Sequence, residues 1–233
     1  MSLFQTPTAQ AATQRHAVLD TPIAAPPGPG EGEVLFGCGC FWGAEKGFWR
    51  LPGVITTAVG YAGGGVVDPS YQQVCSGRTG HAEVVRVVWA RERVDLSDLL
   101  KLFWECHDPT QGDRQGNDSG SQYRSAIVVY SPADLALAEA SRDAYGTLLR
   151  EAGHGAITTE IIADKPLYYA EPYHQQYLAK PGSRPYCSAQ PTGVRLGAFP
   201  GSAYRLPAEV WQSFDWTLPH CVLRGDNAPI RLS

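Results

Sequence analysis

The sequence predicts one α/β or α+β domain in which helices cover a mixed sheet. Short runs rich in β-branched residues alternate with segments whose apolar residues recur at helical spacing. Such alternation is typical of helices layered on a sheet. The 43% hydrophobic and 18% charged content is that of a globular protein, and 233 residues are enough for one sizeable domain with extensions.

The first half of the predicted domain contains three strands and a helix. Residues 33–36 resemble the end of a strand, and residues 41–50 carry large and small apolar residues at helical spacing. The β-branched run 54–61 predicts the second strand, and residues 83–90 predict the third. Residues 66–82 between them form a long loop, and long loops in compact domains are often functional.

The middle of the chain predicts two more helices around a strand. A helical period begins at residue 96 and is stopped by Pro109, after which residues 108–124 form a polar loop. Residues 125–130 predict a strand. Ser131 then supplies an N-cap, with proline at the first helical position, for a helix that runs to about residue 152.

The remaining segments set the expected organisation of the chain. Residues 157–163 predict a strand and residues 171–180 a short helix. Residues 1–32, rich in Ala, Thr, Gln and Pro, are expected to form an extended arm. The ordered domain is therefore predicted to span 33–190, followed by an irregular tail over 191–233.

Composition and charge exclude several classes of function. The net charge of −4 and the lack of a basic cluster argue against nucleic-acid binding. No apolar run approaches the length of a membrane span. The N-terminal residues have neither a charged region nor an apolar region of a secretory signal. We expect a cytoplasmic monomer.

The cysteines are too few and too scattered for a disulfide scaffold. They are better interpreted as free, catalytic or redox-cycling thiols. No C-x-x-C pair is present, which argues against a structural zinc site, and we expect no bound metal. The six positions are Cys38, Cys40, Cys75, Cys106, Cys187 and Cys221.

Cys40 lies where the first predicted strand turns into a helix. A thiol on the first helical turn meets unpaired backbone N–H groups, which would lower its pKa and favour the reactive thiolate. Phe41 and Trp42 follow directly and would form an apolar wall beside it. The competing interpretation is an inert, buried cysteine, which is the commoner fate of a cysteine in an apolar stretch.

The segment Gly39–Glu45 (GCFWGAE) resembles the active-site signature of the type A peptide methionine sulfoxide reductases. Further segments match that family in the same order along residues 33–190. They are GYAGG at 60–64, Tyr71, TGHAE at 79–83, HDP at 107–109, RQGND at 114–118, QYRS at 122–125, EPYHQQYL at 171–178 and Tyr186-Cys187. The resemblance implies an α+β fold, a two-layer sandwich of ferredoxin-like type, with residues 33–190 as the catalytic domain.

The resemblance also implies a division of labour during reduction of a sulfoxide. Cys40 would be the nucleophile that attacks sulfur, and Glu83 the acid that protonates the sulfoxide oxygen. A carboxyl can donate a proton at neutral pH only if burial raises its pKa. The hydroxyls of Tyr71 and Tyr123 would hold the oxygen by hydrogen bonds. Taken alone, Glu83 would be a solvated residue at a strand start.

Three further residues are implied to bind the substrate. Phe41 and Trp42 would receive the S-methyl group, and Asp118 would help to position the substrate. Without the resemblance, aromatics at helical spacing are more often core residues, and Asp118 would be a turn residue.

Recycling is implied to use a second cysteine and an external reductant rather than a cofactor. Cys187 matches the resolving cysteine, which would convert a sulfenic acid at Cys40 into a disulfide. Thioredoxin would then reduce that disulfide. Many family members carry a further recycling cysteine just beyond the resolving one, whereas this chain has only the distant Cys221. We predict direct reduction of Cys40–Cys187, with Cys221 as a second relay left open.

The other cysteines and the histidines of the matched segments are assigned structural roles. Cys38, Cys75 and Cys106 are interpreted as packing thiols. The histidines at 81, 107 and 174 are expected to make structural hydrogen bonds.

The leading hypothesis is an enzyme that reduces the S-epimer of methionine sulfoxide, both in oxidised proteins and as the free amino acid. The epimer preference follows from the family, because separate enzymes serve the two sulfoxides. One alternative is a non-enzymatic thiol redox sensor. Another is a metal-binding module that uses Cys38, Cys40 and His81.

Overall fold

The fold is that of a computed structural model in which residues 9–218, 221–223 and 225–232 are described. In this part of the chain, no helix combines the length and apolarity that crossing a membrane requires.

Strands and helices alternate along most of the described chain. The strands are β1 (Glu31–Cys38), β2 (Val54–Ala62), β3 (Ala82–Ala90), β4 (Arg114–Gln115), β5 (Asp118–Ser119), β6 (Ser125–Val129), β7 (Glu160–Ala163) and β8 (Tyr168–Tyr169). The α-helices are α1 (Ala9–Thr13), α2 (Phe41–Trp49), α3 (Tyr71–Cys75), α4 (Leu96–Cys106), α5 (Pro132–Glu151) and α6 (Ala208–Gln212). Short 3₁₀ segments cover Ser121–Tyr123, Tyr177–Ala179 and Cys221–Leu223.

The main sheet has the strand order β7-β6-β1-β3-β2-β8. Neighbouring strands in this sheet are antiparallel, except that β6 and β7 are parallel to each other. Helices α2, α4 and α5 pack together against the sheet. The predicted mixed sheet with helices packed on it is confirmed.

Local sequence signals explain where two of these helices begin. Asp95 caps α4 through a reciprocal capping box with Asp98. Ser131 caps α5 by accepting a hydrogen bond from the backbone N–H of Asp134, and proline follows it. These capping residues therefore determine where α4 and α5 begin.

The alternation of side chains along the strands builds a core on each face of the sheet. Val34 and Phe36 of β1 belong to the large core under the helices, whereas Leu35 belongs to a smaller cluster on the opposite face. On that opposite face, the buried Arg86 pairs with the buried Glu33.

Segments near both ends of the described part of the chain pack onto the domain. The guanidinium of Arg86 donates hydrogen bonds to the carbonyls of Ile23 and Ala25, which fixes the N-terminal segment against the sheet. The C-terminal segment covers α2 and α4. Its side chains that join the large core are Leu196, Phe199, Leu206, Val210, Phe214, Trp216 and Val222.

The predicted helix over 171–180 is wrong. This segment consists of turns followed by the 3₁₀ segment, and Gln176 has a left-handed backbone with φ of 46°. The side chain of Gln175 hydrogen-bonds the backbone N–H and carbonyl of Val59. The backbone N–H of Gln176 donates to the Glu45 carboxyl. Tertiary hydrogen bonds thus replace those that a helix would make.

Candidate active site

Cys40 is the residue that immediately precedes α2, and its side chain is buried. Gly39 before it has φ of 84°, and a Cβ atom there would lie 2.6 Å from the Cβ of Gln115. Only glycine suits both the left-handed backbone and the close approach. The chain can therefore turn sharply out of β1 and place the thiol at the helix start.

The pKa of Cys40 differs from the sequence-based prediction because the thiol is buried. Burial and the nearby Glu83 carboxyl raise the pKa of the thiol well above its usual value, and the backbone N–H of Trp42, which lowers it, does not compensate. The predicted lowering of the pKa is wrong for this state because loss of solvation outweighs the helix start.

Glu83 lies on β3, opposite Tyr61 of β2, and is almost completely buried. The backbone N–H of Phe41 donates to its Oε2 atom at 3.1 Å. Burial raises the pKa of Glu83 to about 8, which that hydrogen bond opposes and the nearby Asp118 carboxylate reinforces. The carboxyl is therefore protonated at neutral pH.

The first turn of α2 thus donates backbone hydrogen bonds to both reactive groups. The N–H of Phe41 contacts the Glu83 carboxyl, and the N–H of Trp42 contacts the Cys40 thiol. Two successive backbone donors hold the thiol and the acid beside each other.

An aromatic wall lies next to this pair. The indole of Trp42 stacks on Tyr177 with ring centroids 3.8 Å apart, and its Nε1–H donates to Nδ1 of His174 at 3.1 Å. The buried Phe41 ring lies 5.1 Å from the His174 ring. Burial lowers the pKa of His174 to about 4, so the wall is uncharged at neutral pH.

The tyrosines predicted to face the substrate oxygen come from two separate loops. Tyr71 begins α3, and its backbone N–H donates to Oε1 of Glu171 at 2.9 Å. Tyr123 ends a 3₁₀ turn. Burial is the largest cause that raises the pKa of both phenols. The next cause is a hydrogen bond with Cys75 for Tyr71 and the Glu83 carboxyl for Tyr123, so both phenols keep their protons.

Asp118 has one oxygen engaged and the other without a partner. Its Oδ1 accepts a hydrogen bond from the hydroxyl of Tyr186 at 2.5 Å. Its Oδ2 is buried and has no hydrogen-bond partner in the structure. A buried carboxylate oxygen without a partner is costly, so it is suited to accept a hydrogen bond from a ligand.

Cys187 lies against the first turn of α2. A Cβ atom added to Gly43 would lie 2.5 Å from the Sγ of Cys187. The thiol is free and buried, and burial raises its pKa to about 12 although the backbone N–H of Ala189 opposes the shift. The side chain of Cys221 lies outside the described part of the structure.

A second buried carboxyl, Glu45, lies near the aromatic wall and hydrogen-bonds the residue that precedes Tyr177. It accepts hydrogen bonds from Thr57 Oγ1 and from the backbone and side chain of Gln176. Burial raises its pKa to about 7, against these hydrogen bonds. Thr57 in turn contacts Nε2 of His16 at 2.9 Å. The N-terminal segment is thereby linked to the residues beside Tyr177.

The structure brings the sequence-predicted site residues close together, as the electrostatic effects between them indicate. The pKa values of Cys40, Glu83 and Tyr123 all respond to Asp118, and that of Cys40 responds to Cys187. Sequence reasoning missed Tyr186, Tyr177 and Glu45. Their signals were present, since Glu45 lies within the GCFWGAE segment, and Tyr177 and Tyr186 lie within other matched segments.

The histidines differ in how far they follow the prediction. His107 makes structural hydrogen bonds at both ring nitrogens, with the Phe103 carbonyl and with Ser125 Oγ, each at 2.8 Å. His174 accepts one from Trp42. For the His81 ring the predicted hydrogen bonds are wrong, because both of its nitrogens are buried without a hydrogen-bond partner among the described residues. The ring instead packs edge-on against Tyr168, with centroids 5.4 Å apart.

The metal-binding alternative named Cys38, Cys40 and His81, but the structure groups a different set of potential ligands. Within the described residues, potential ligand atoms cluster at Cys38, Cys106 and His107. Neither Cys40 nor His81 belongs to that cluster.

Comparisons with known proteins agree with this geometry. Residues 32–197 match the family model described as peptide methionine sulfoxide reductase. The chain is 56% identical over 191 residues to the peptide methionine sulfoxide reductase MsrA of Salinispora arenicola, covering 81% of this chain and 86% of the relative. It is 57% identical over 182 residues to MsrA of Azotobacter vinelandii, covering 78% and 83%. The solved structure of methionine sulfoxide reductase A of Corynebacterium diphtheriae matches with a TM-score of 0.70 and 42% identity, covering 84% of this chain and 92% of that one. This chain belongs to the peptide methionine sulfoxide reductases of type A, a family of oxidoreductases.

Proposed function

We propose that this protein reduces the S-epimer of methionine sulfoxide, in oxidised proteins and as the free amino acid, with Cys40 as nucleophile and Glu83 as acid. The observation that carries the proposal is the buried, protonated Glu83 held next to Cys40 by consecutive N–H groups of α2. An inert packing cysteine has no need of a neighbouring acid.

The chemistry transfers one oxygen atom to sulfur. Cys40 attacks the sulfoxide sulfur while Glu83 gives a proton to the oxygen, which makes the oxygen a better leaving group. The hydroxyls of Tyr71 and Tyr123 stabilise the charge that develops there. The oxygen moves to Cys40 as a sulfenic acid, methionine is released, and the proton of the Cys40 thiol restores Glu83.

The aromatic wall and Asp118 determine which substrate fits. Phe41 and Trp42 offer an apolar surface for the S-methyl group. The unpartnered Oδ2 of Asp118 would accept a hydrogen bond from a substrate N–H. A chiral sulfoxide has its methyl, oxygen and main chain fixed by three separate contacts, which accounts for a preference between epimers.

Recycling proceeds through Cys187. Its thiol attacks the sulfenic acid, water leaves, and a Cys40–Cys187 disulfide forms. The position of Cys187 against the start of α2 supports this pairing. Thioredoxin, the reductant that the family resemblance implies, then returns both thiols, and no prosthetic group takes part. Replacing Cys221 by serine should leave thioredoxin-dependent turnover largely intact, whereas near-complete loss would place Cys221 in the relay.

The decisive experiment follows reduction of each methionine sulfoxide epimer with thioredoxin and its reductase present. We expect methionine from the S-epimer only, and none from Cys40→Ser. Consumption of peroxide without any release of methionine would identify a thiol sensor and overturn the proposal. Cys187→Ser should form one methionine per chain and then stop.

A further inference from the structure

We propose that Cys38 and Cys106 form a second redox-active pair that takes over the disulfide from Cys187. The reduced protein would then convert two sulfoxides per chain before it needs a reductant. This inference rests on the proposed function, because the sulfoxide supplies the oxidising equivalents.

The two thiols meet at the ends of neighbouring elements. Cys38 is the last residue of β1, and Cys106 is the last residue of α4. Their Sγ atoms and a ring nitrogen of His107 all lie within 4.8 Å of one another. Both cysteines are free and buried. Small side-chain rotations would bring the sulfur atoms to bonding distance.

A cavity connects this pair to the proposed recycling cysteine. Cys38, Cys106 and Cys187 all line it, together with the apolar side chains of Leu102 and Val222. The charge of Cys106 contributes to the raised pKa of Cys187, as expected for neighbouring groups. Cys187 therefore borders the same cavity as the Cys38–Cys106 pair.

His107 makes thiol exchange a better explanation of this cluster than metal binding. Its Nδ1 contacts the Phe103 carbonyl and its Nε2 contacts Ser125 Oγ, so both nitrogens are engaged. A metal would therefore find two thiolates in a buried apolar setting, which is fewer than the four ligands of a structural zinc site.

The transfer consists of two balanced thiol–disulfide exchanges. The Cys106 thiolate attacks the Cys187 sulfur of the Cys40–Cys187 disulfide. A Cys106–Cys187 bond forms, and Cys40 leaves as a thiolate that takes up the proton lost by Cys106. Cys38 then attacks Cys106, a Cys38–Cys106 bond forms, and Cys187 is released as a thiol. Cys40 and Cys187 are both reduced again and can process a second sulfoxide.

The exchange should be slower than the first turnover. The adjacent Cys38 thiol and burial raise the pKa of Cys106 well above its usual value, although His107 opposes the shift. The thiolate is the attacking form, so its scarcity limits the rate. The second methionine should therefore appear in a separate, slower phase.

The test counts methionine formed per chain when fully reduced protein meets excess S-epimer without any reductant. All measurements use a Cys221→Ser background, so that Cys221 cannot accept the disulfide. We expect two methionines per chain, the second in a slow phase, and one after Cys106→Ser. Cys38→Ser should stop at the Cys106–Cys187 disulfide, so its second methionine should leave Cys40 as a sulfenic acid. Cys75→Ser serves as the matched control and should keep two.

The fast first methionine reports that each variant is folded, so a single missing equivalent is interpretable. Peptide mapping after acid quench and thiol blocking should reveal a Cys38–Cys106 disulfide in the doubly oxidised protein. A plateau at one methionine per chain in the background protein would overturn the inference while leaving the proposed function intact. Two methionines from Cys106→Ser would also overturn it. No methionine from any variant would instead mean that the proposed function fails.

Discussion

At the scale of single residues, burial acts on Cys40 and Glu83 in the same direction. Each group loses solvation of its charged form, so each holds its proton to higher pH than it would in water. For Glu83 this supplies the proton that the sulfoxide oxygen needs. For Cys40 it means that the reactive thiolate forms only as the proton is passed on.

The buried Glu83 carboxyl makes stability depend on pH. The folded state keeps this proton up to about pH 8, whereas the unfolded state loses it near 4.5. Raising the pH between these values therefore favours unfolding. We expect the free energy of unfolding of Glu83→Gln, relative to the unsubstituted protein, to rise by about 1.4 kcal/mol per pH unit across this window. Urea unfolding at several pH values measures it, and a difference that does not vary with pH would contradict the raised pKa.

The sequence anticipated some of the site residues and not others. Burial of Glu83 follows from the resemblance together with its place in an apolar strand. The pKa of Cys40 was predicted in the wrong direction, because the sequence shows a helix start but not the depth at which the thiol lies. The hydrogen bond from Tyr186 to Asp118 spans 68 positions of the chain, and only the folded structure reveals it.

At the scale of elements, the start of α2 organises the site. It places the thiol, donates to the acid and receives Cys187 on Gly43. Periodicity predicted α2, α4, α5 and the long strands well, because each has a buried face that repeats regularly. It failed at residues 171–180, where long-range hydrogen bonds to Glu45 and Val59 decide the conformation.

Gly43 tests the contact between α2 and Cys187. A methyl group there would lie 2.5 Å from the Cys187 sulfur, so the sulfur must move. We expect Gly43→Ala to form the first methionine but to close the disulfide about 10–100-fold more slowly. Rapid-quench measurement of thiol loss follows the disulfide step separately from methionine release.

Gly47, one turn further along the same helix, is the matched control. A Cβ atom there would meet Leu102 and Val222 at an ordinary 3.6 Å. Gly47→Ala should leave disulfide closure unchanged and stabilise the protein by roughly 0.5–1 kcal/mol, since alanine suits a helix better. Equal slowing by both substitutions would show that the effect is not local to Cys187.

At the scale of the whole molecule, the terminal segments complete the domain rather than trail from it. The N-terminal segment supplies His16 to the Glu45 network and two carbonyls to Arg86. The C-terminal segment contributes aromatic residues to the main core. Their lack of periodicity concealed this, because irregular chain packs through individual side chains rather than through a repeating face.

The buried Arg86–Glu33 pair holds the N-terminal segment to the sheet. Removing the arginine leaves a buried carboxylate and two carbonyls without their donor. We expect Arg86→Met to lower the free energy of unfolding by about 3–5 kcal/mol. The double variant Glu33→Gln with Arg86→Met should lose clearly less free energy of unfolding, because it leaves no uncompensated buried charge. Equal losses in urea unfolding would argue against the ion pair as the cause.

The central claim is that Glu83 delivers its proton to the sulfoxide oxygen while Cys40 attacks the sulfur. The most direct measurement is the rapid-quench rate of methionine formation in the Cys187→Ser background, with Glu83 or with Glu83→Gln, over a pH range that spans the pKa of Glu83. With Glu83, the rate should hold steady at lower pH and fall as Glu83 loses its proton near pH 8. With Glu83→Gln, it should be about 10²–10⁴-fold lower and lack the falling limb. Identical rates and pH profiles for the two proteins would contradict the account.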